Sequence, residues 1–140
     1  MATTVRVPVD IGHSESVNVE FAGVMNAETA LKLWRDGSPE NGLIVIDQPA
    51  KDTPGWPTPS SPKNDSWAGL HYAEERAYPT QCDVLREGWQ NMTLVGRTRD
   101  DFSRPNTVNF WCVSDNLRKG AATNVVQIAI GLQKMGLLTE

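Results

Sequence analysis

The sequence predicts an α+β domain: a mixed, mostly antiparallel sheet with helices on one face and a long C-terminal helix. Three observations carry this. Apolar residues alternate with polar ones at Val5-Arg6-Val7-Pro8-Val9 and Val17-Asn18-Val19-Glu20-Phe21, and strand-like runs recur at Met92–Arg99 and Asn106–Val113. Alternation of period two marks half-buried strands. Strands that follow one another through short turns favour antiparallel pairing with helices laid over the sheet. Finally, Leu117, Ala121, Val125, Ile128, Leu132 and Met135 recur in steps of three and four, which makes one stripe along a helix.

Thr4–Val9 reads as the first strand, held to an edge or bulged because Pro8 cannot donate to a ladder. Asp10-Ile11-Gly12-His13 is a turn, and Ser16–Phe21 is the second strand. Asn26 can cap a short helix with Ala27, Ala30, Leu31 and Trp34 facing inward and Gly37 at its end. Leu43-Ile44-Val45-Ile46 is a short apolar run suited to a buried strand. Pro49–Pro62 holds five prolines with Gly55 and Trp56 and reads as a long irregular loop. From Lys63 to Gly88 no period is evident. The two remaining strands are joined by Asp100-Asp101-Phe102-Ser103-Arg104-Pro105. The final helix is expected to start at Ser114 or Asp115, either of which can cap it, and to stop at Gly136. Gly120-Ala121-Ala122 would give that helix a bare face that another backbone can approach closely.

At 140 residues the chain is the size of one domain, residues 1–140, and can bury a core. Apolar content of 39% with 21% charged residues fits a globular protein. A formal charge of −4 with scattered basic residues points away from nucleic acid and anionic membranes. No apolar run approaches membrane-spanning length. Met1-Ala2-Thr3-Thr4 has neither the basic nor the apolar region of a secretory signal, and only Cys82 and Cys112 are present, so a reduced, cytoplasmic protein is expected.

Arg6 and His13 stand at the two ends of one strand-turn unit. An arginine fork can hold a carboxylate or phosphate by two parallel hydrogen bonds. Histidine, with an ordinary pKa of about 6.5, can move a proton either way at neutral pH. Spacing alone leaves open that Arg6 is a surface-strand residue and His13 a hydrogen-bonded loop residue. Cys112, in a strand, is expected to be a buried inert thiol, and Cys82 stands beside Asp83, which disfavours its thiolate. A zinc site from His13, His71, Cys82 and Cys112 lacks any close ligand pair, and no metal is expected. No glycine-rich strand-to-helix turn of the dinucleotide-binding kind is present.

Two stretches carry a family resemblance. Phe110-Trp111-Cys112-Val113-Ser114-Asp115-Asn116-Leu117-Arg118-Lys119-Gly120-Ala121-Ala122, with Asn124 and Gln127-Ile128-Ala129, resembles the C-terminal signature of aspartate-semialdehyde dehydrogenases. Val5-Arg6-Val7-Pro8-Val9 with Gly12-His13-Ser14-Glu15-Ser16-Val17-Asn18-Val19-Glu20-Phe21 resembles their catalytic-domain motif, and Val95-Gly96-Arg97-Thr98-Arg99-Asp100 a strand motif. The resemblance implies that Arg6 binds the substrate carboxylate, that His13 is the acid/base, and that Asn116 contacts the nicotinamide side of NADP. Thr4 replaces the family's usual cysteine, which is not its nucleophile. Family members are more than twice this long, and both their NADP-binding Rossmann domain and their nucleophilic cysteine lie upstream of anything matched here. The resemblance thus implies the C-terminal, catalytic and dimerisation portion of an oxidoreductase that is inactive alone, forms a homodimer or higher oligomer and needs a Rossmann-domain portion, supplied by a separate chain. The alternative is a stand-alone oligomerisation or small-anion-binding module without redox activity, or an inactive relic.

Overall fold

The computed structural model describes residues 4–38, 41–47 and 78–138. The Pro49–Pro62 loop and most of the aperiodic stretch before Gly88 lie outside the described residues. In chain order the elements are β1 (His13–Glu20), α1 (Ala27–Asp36), β2 (Leu43–Val45), a 3₁₀ turn (Gln81–Leu85), β3 (Thr93–Asp100), β4 (Thr107–Ser114) and α2 (Ala122–Lys134). The four strands form one sheet in the order β1-β4-β3-β2. β4 pairs antiparallel with both β1 and β3, whereas β2 joins β3 in parallel. This is the mixed, mostly antiparallel sheet of an α+β domain.

The alternation of each strand decides what its two faces meet. Opposed residues share a face, so Val17, Phe110, Cys112, Val95 and Val45 point one way. Helix α1 lies over that side, with Ala30 buried and Trp34 set edge-on to Phe110 at 5.0 Å between ring centroids. The opposite face presents Ile44, Leu94 and Val113 to Ile46, Val84 and Trp89, which form the main core cluster. Truncating a buried aliphatic residue of that cluster to Ala costs about 2–5 kcal/mol.

Local chemistry explains the element ends. Asn26 caps α1 by accepting from the Thr29 N–H at 2.8 Å, and Asp100 Oδ1 takes the Ala27 N–H at 2.7 Å, pinning the helix start to β3. Gly96 lets β2 and β3 close up, since a Cβ there would lie 2.2 Å from the Ile46 carbonyl oxygen and 2.7 Å from Pro79 Cδ. Just beyond it Arg97 takes φ 56°, the ladder shifts register, and Asp47 Oδ2 accepts from the freed Thr98 N–H at 2.9 Å. Gly136, at φ 68°, ends α2: its N–H and that of Leu137 return to the carbonyls of Gln133 and Leu132 at 3.0 and 2.9 Å.

Two expectations fail. Thr4–Val9 is not a strand: Val5, Val7 and Val9 are exposed, and the Val9 N–H turns back to the Val7 carbonyl at 2.9 Å around Pro8. Alternation makes a strand only where the segment pairs with another, and among the described residues this one pairs with none. The last helix begins at Ala122, not at Ser114 or Asp115. The stripe itself is exposed apolar surface: no residue of α2 is buried, and Leu117, Val125, Ile128 and Met135 are exposed.

At the far end of the sheet Asp101 receives the Ser103 hydroxyl at 2.6 Å, the Ser103 N–H at 2.9 Å and the Asn18 amide at 2.8 Å, tying the β3–β4 hairpin to β1. The Ser103 hydroxyl first, then the Ser103 N–H and Asn18, hold the Asp101 carboxyl at about 2, below its ordinary 3.8. The folded state therefore binds this proton less readily than the unfolded chain, and the contribution to stability is complete above pH 3.8 and fades as pH falls towards 2. The melting temperatures of Asp101→Ala and the wild type should differ by a constant amount from pH 5 to 8 and converge below pH 4. A gap unchanged at pH 2.5 would show that Asp101 does not act through its charge.

Candidate active-site cluster

β1 and β4 bring two of the three sequence-predicted site residues together. His13 opens β1 directly opposite Ser114, the last residue of β4, and Ser114 is flanked in turn by Thr93 on β3. Two residues beyond Ser114, Asn116 swings its side chain back across the end of β1, and its Oδ1 accepts from the Gly12 N–H at 2.8 Å. The residue before His13 is thereby held by Asn116, although 104 positions separate the partners. Gly12 is at φ 109°, which disfavours any side chain, and an added Cβ would stand 3.0 Å from that of Gln81. His13 itself is exposed, so its ring is open to solvent and to a ligand.

The turn that aims Asn116 is built by Asp115, a buried carboxylate. Its Oδ1 accepts from the N–H groups of Leu117 and Arg118 at 2.8 and 3.2 Å, while its carbonyl accepts from Lys119 and Gly120 at 2.7 and 3.1 Å. These bonds satisfy the backbone locally and hold residues 116–121 as a turn instead of the first turns of a helix. Gly120 is packed onto Asn116: a Cβ would lie 2.5 Å from the Asn116 carbonyl oxygen and 2.8 Å from its Cα. The close backbone approach expected at Gly120 is met by the chain's own Asn116.

Arg6 is exposed in the irregular segment before β1. No hydrogen bond or ion pair joins it to His13, Asn116 or any other of the described residues. Sequence reasoning overlooked Lys119, which is only 7% exposed despite its charge, with burial pushing its pKa down. Its Nζ donates to Gln127 Oε1. A lysine after a polar turn and before two alanines carries no local sign of burial, so only its position below the end of β4 reveals it.

Cys112 faces Glu15 on β1 and Val95 on β3. Burial first, then the Glu15 charge, raise its thiol from 9.0 to about 11, so it stays protonated at neutral pH and is a poor nucleophile. Among the described residues no group of three or more His, Cys, Asp or Glu side chains is placed to hold a metal, and no helix is long and apolar enough to cross a membrane. His71 lies outside the described residues. Cys112 should be alkylated by iodoacetamide at pH 7.5 roughly a hundredfold more slowly than an unperturbed thiol, following its smaller thiolate fraction. Peptide mapping of the alkylated chain reads this directly, and reaction at a free-thiol rate would refute the burial argument.

Comparison with known proteins places this geometry. Residues 1–119 match the family model described as semialdehyde dehydrogenase, dimerisation domain. The aspartate-semialdehyde dehydrogenase of Rickettsia bellii is 36% identical over 132 residues, which cover 94% of this chain and 30% of the relative. That of Aquifex aeolicus is 35% identical over 137 residues, covering 98% of this chain and 32% of the relative. The crystal structure of aspartate semialdehyde dehydrogenase II from Vibrio cholerae superposes with a TM-score of 0.57 at 32% identity, over 92% of this chain and 29% of that one. The chain thus spans about a third of the length of such relatives, and the match falls on their C-terminal portion. By sequence and by fold, the chain belongs to the semialdehyde dehydrogenase dimerisation-domain family.

Proposed function

We propose that this chain is the C-terminal, proton-handling and self-associating portion of an aspartate-semialdehyde dehydrogenase-like oxidoreductase of the cytoplasm. The reaction is the NADP- and phosphate-dependent interconversion of aspartate semialdehyde and aspartyl phosphate. The chain works together with a Rossmann cofactor-binding portion that also brings the nucleophilic cysteine, whether in the same polypeptide or in a separate chain. The observation that carries this reading is the hydrogen bond from Gly12 to Asn116, which holds the residue preceding the acid/base candidate to the nicotinamide-side candidate.

Each residue has work that its surroundings permit. Arg6 keeps an exposed guanidinium with no partner among the described residues, so its fork is available to a substrate carboxylate. The exposed His13 imidazole takes the proton of the attacking thiol as the sulfur–carbon bond forms. Asn116 spends its Oδ1 on Gly12, which leaves the Nδ2 group to donate to a carbonyl such as a carboxamide. NADP, when bound, supplies the hydride exchange. Cys112, held protonated, does not substitute for the nucleophile.

Alone, the purified chain should give no NADP- and phosphate-dependent turnover. Supplied with the N-terminal portion of a relative, it should regain activity, and its two polar residues should be needed differently. His13→Asn should lower kcat by roughly 10²–10⁴-fold, the worth of a lost general base. Arg6→Leu should chiefly raise KM, because a carboxylate clamp acts in ground and transition states alike. Full kcat in the His13→Asn enzyme would remove the acid/base role. Failure to reconstitute, with phosphate still bound at Arg6, would favour the anion-binding module instead.

The chain should also self-associate. Leu117, Val125, Val126, Ile128, Ile130, Met135 and Leu137 leave α2 and its flanks apolar and exposed, and a surface of that kind rarely stays in water. Light scattering at tens of micromolar should find a dimer or larger species, and a strict monomer would contradict this.

A further inference from the structure

We propose that Lys119 is a positioning residue: through Gln127 it locks the turn between β4 and α2 in the arrangement that lets Asn116 hold the Gly12 amide beside His13. This rests on the reading of His13 and Asn116 as site residues. The geometry is a short relay. Lys119 Nζ donates to Gln127 Oε1, and Gln127 Nε2 donates to the Asn91 carbonyl at 3.2 Å, on the segment that enters β3. Both side chains gather over Gly42, at φ 72°, where an added Cβ would stand 3.2 Å from Lys119 Nζ and 3.3 Å from the Gln127 Nε2 and Oε1 atoms. The Gly42 carbonyl accepts from the Thr93 N–H at 2.8 Å, which anchors this corner to the start of β3.

No residue of α2 is buried, so apolar packing does not seat that helix, and the Gln127 bonds are its hydrogen-bonded tie to the sheet among the described residues. The turn is therefore held from two sides. Asp115 and Gly120 shape it from within, and the Lys119 head fixes it from outside, three residues after Asn116. Burying an ammonium with no carboxylate beside it is costly. Among the described residues no Asp or Glu pairs with Lys119. A methionine would fill the same space without that penalty, so the hydrogen bond to Gln127 is what distinguishes lysine here. The lowered pKa of Lys119 follows from the same burial.

Amide hydrogen exchange on the whole chain tests this without requiring turnover. In Lys119→Met and Gln127→Leu, the Gly12 amide should lose protection by about tenfold relative to amides of the β3–β4 ladder, the worth of one ordinary hydrogen bond. Gln127→Glu keeps an acceptor for Lys119 but gives up the donor to the Asn91 carbonyl, so Gly12 protection should fall between that of wild type and that of Gln127→Leu, by about threefold. Gly12 protection unchanged in Lys119→Met would overturn the proposal. So would Gln127→Glu and Gln127→Leu behaving alike, or all amides falling together, which is what a merely structural role predicts. Should Lys119→Met fail to fold, the comparison of the two Gln127 variants still decides. Exchange at Gly12 is independent of any acid/base role for His13. A reconstituted His13→Asn enzyme with full kcat, beside an intact Gly12 response, would sink the functional reading alone.

Discussion

Strand β4 uses both of its hydrogen-bonding edges, and the rest of the molecule is hung on that. Every residue of β1 from His13 to Glu20 pairs with it on one side, and β3 pairs on the other. Because both ladders are antiparallel, the row His13, Ser114, Thr93 and Leu43 lies across one end of the sheet. A slip of one residue would turn every side chain to the wrong face. It would take Val113 out of the core and His13 out of line with Ser114, so the burial of Val113 and the position of His13 are one constraint.

The chain leaves β4 through a turn whose conformation is decided by polar groups. Asp115 is buried yet satisfied, since its oxygens accept from four N–H groups between Leu117 and Gly120. A buried carboxylate stripped of such partners costs several kcal/mol, so this turn and its aspartate are mutually dependent. Gly120 then allows the backbone to close on Asn116. The outcome is a side-chain amide aimed at the start of β1, built from residues that would otherwise continue a helix.

Electrostatics divides the molecule into two ends. At the hairpin end, Asp101 is half-buried and charged at neutral pH, with donors from Ser103 and Asn18 favouring its ionised form. Towards the site end, Cys112 and Lys119 are both pushed towards their neutral forms by burial. One end is stitched by charge-assisted hydrogen bonds in water. At the other, two ionisable groups are kept from ionising freely, while His13 stays exposed.

Short-range patterns were legible in the residues themselves. The alternation at Val17 and Val19 and at Val108 to Val113, the cap at Asn26 and the stop at Gly136 all act within a few positions, and each stands where the periodicity implies. The family motifs, too, point to Arg6, His13 and Asn116 from sequence alone. What the tertiary structure decided were matters of partnership. Thr4–Val9 has the same alternation as β1 but finds no strand to pair with among the described residues, so its valines stay in water. Leu117 and Ala121 continue the helical stripe, yet Asp115 captures the backbone first and delays α2 until Ala122. Asn116 meets Gly12 only because β1 and β4 lie side by side, and Lys119 is buried with Gln127 only where Gly42 and Asn91 come together at the start of β2 and β3. Periodicity reports which face of an element is apolar; which distant group completes a hydrogen bond depends on the fold that brings the two together.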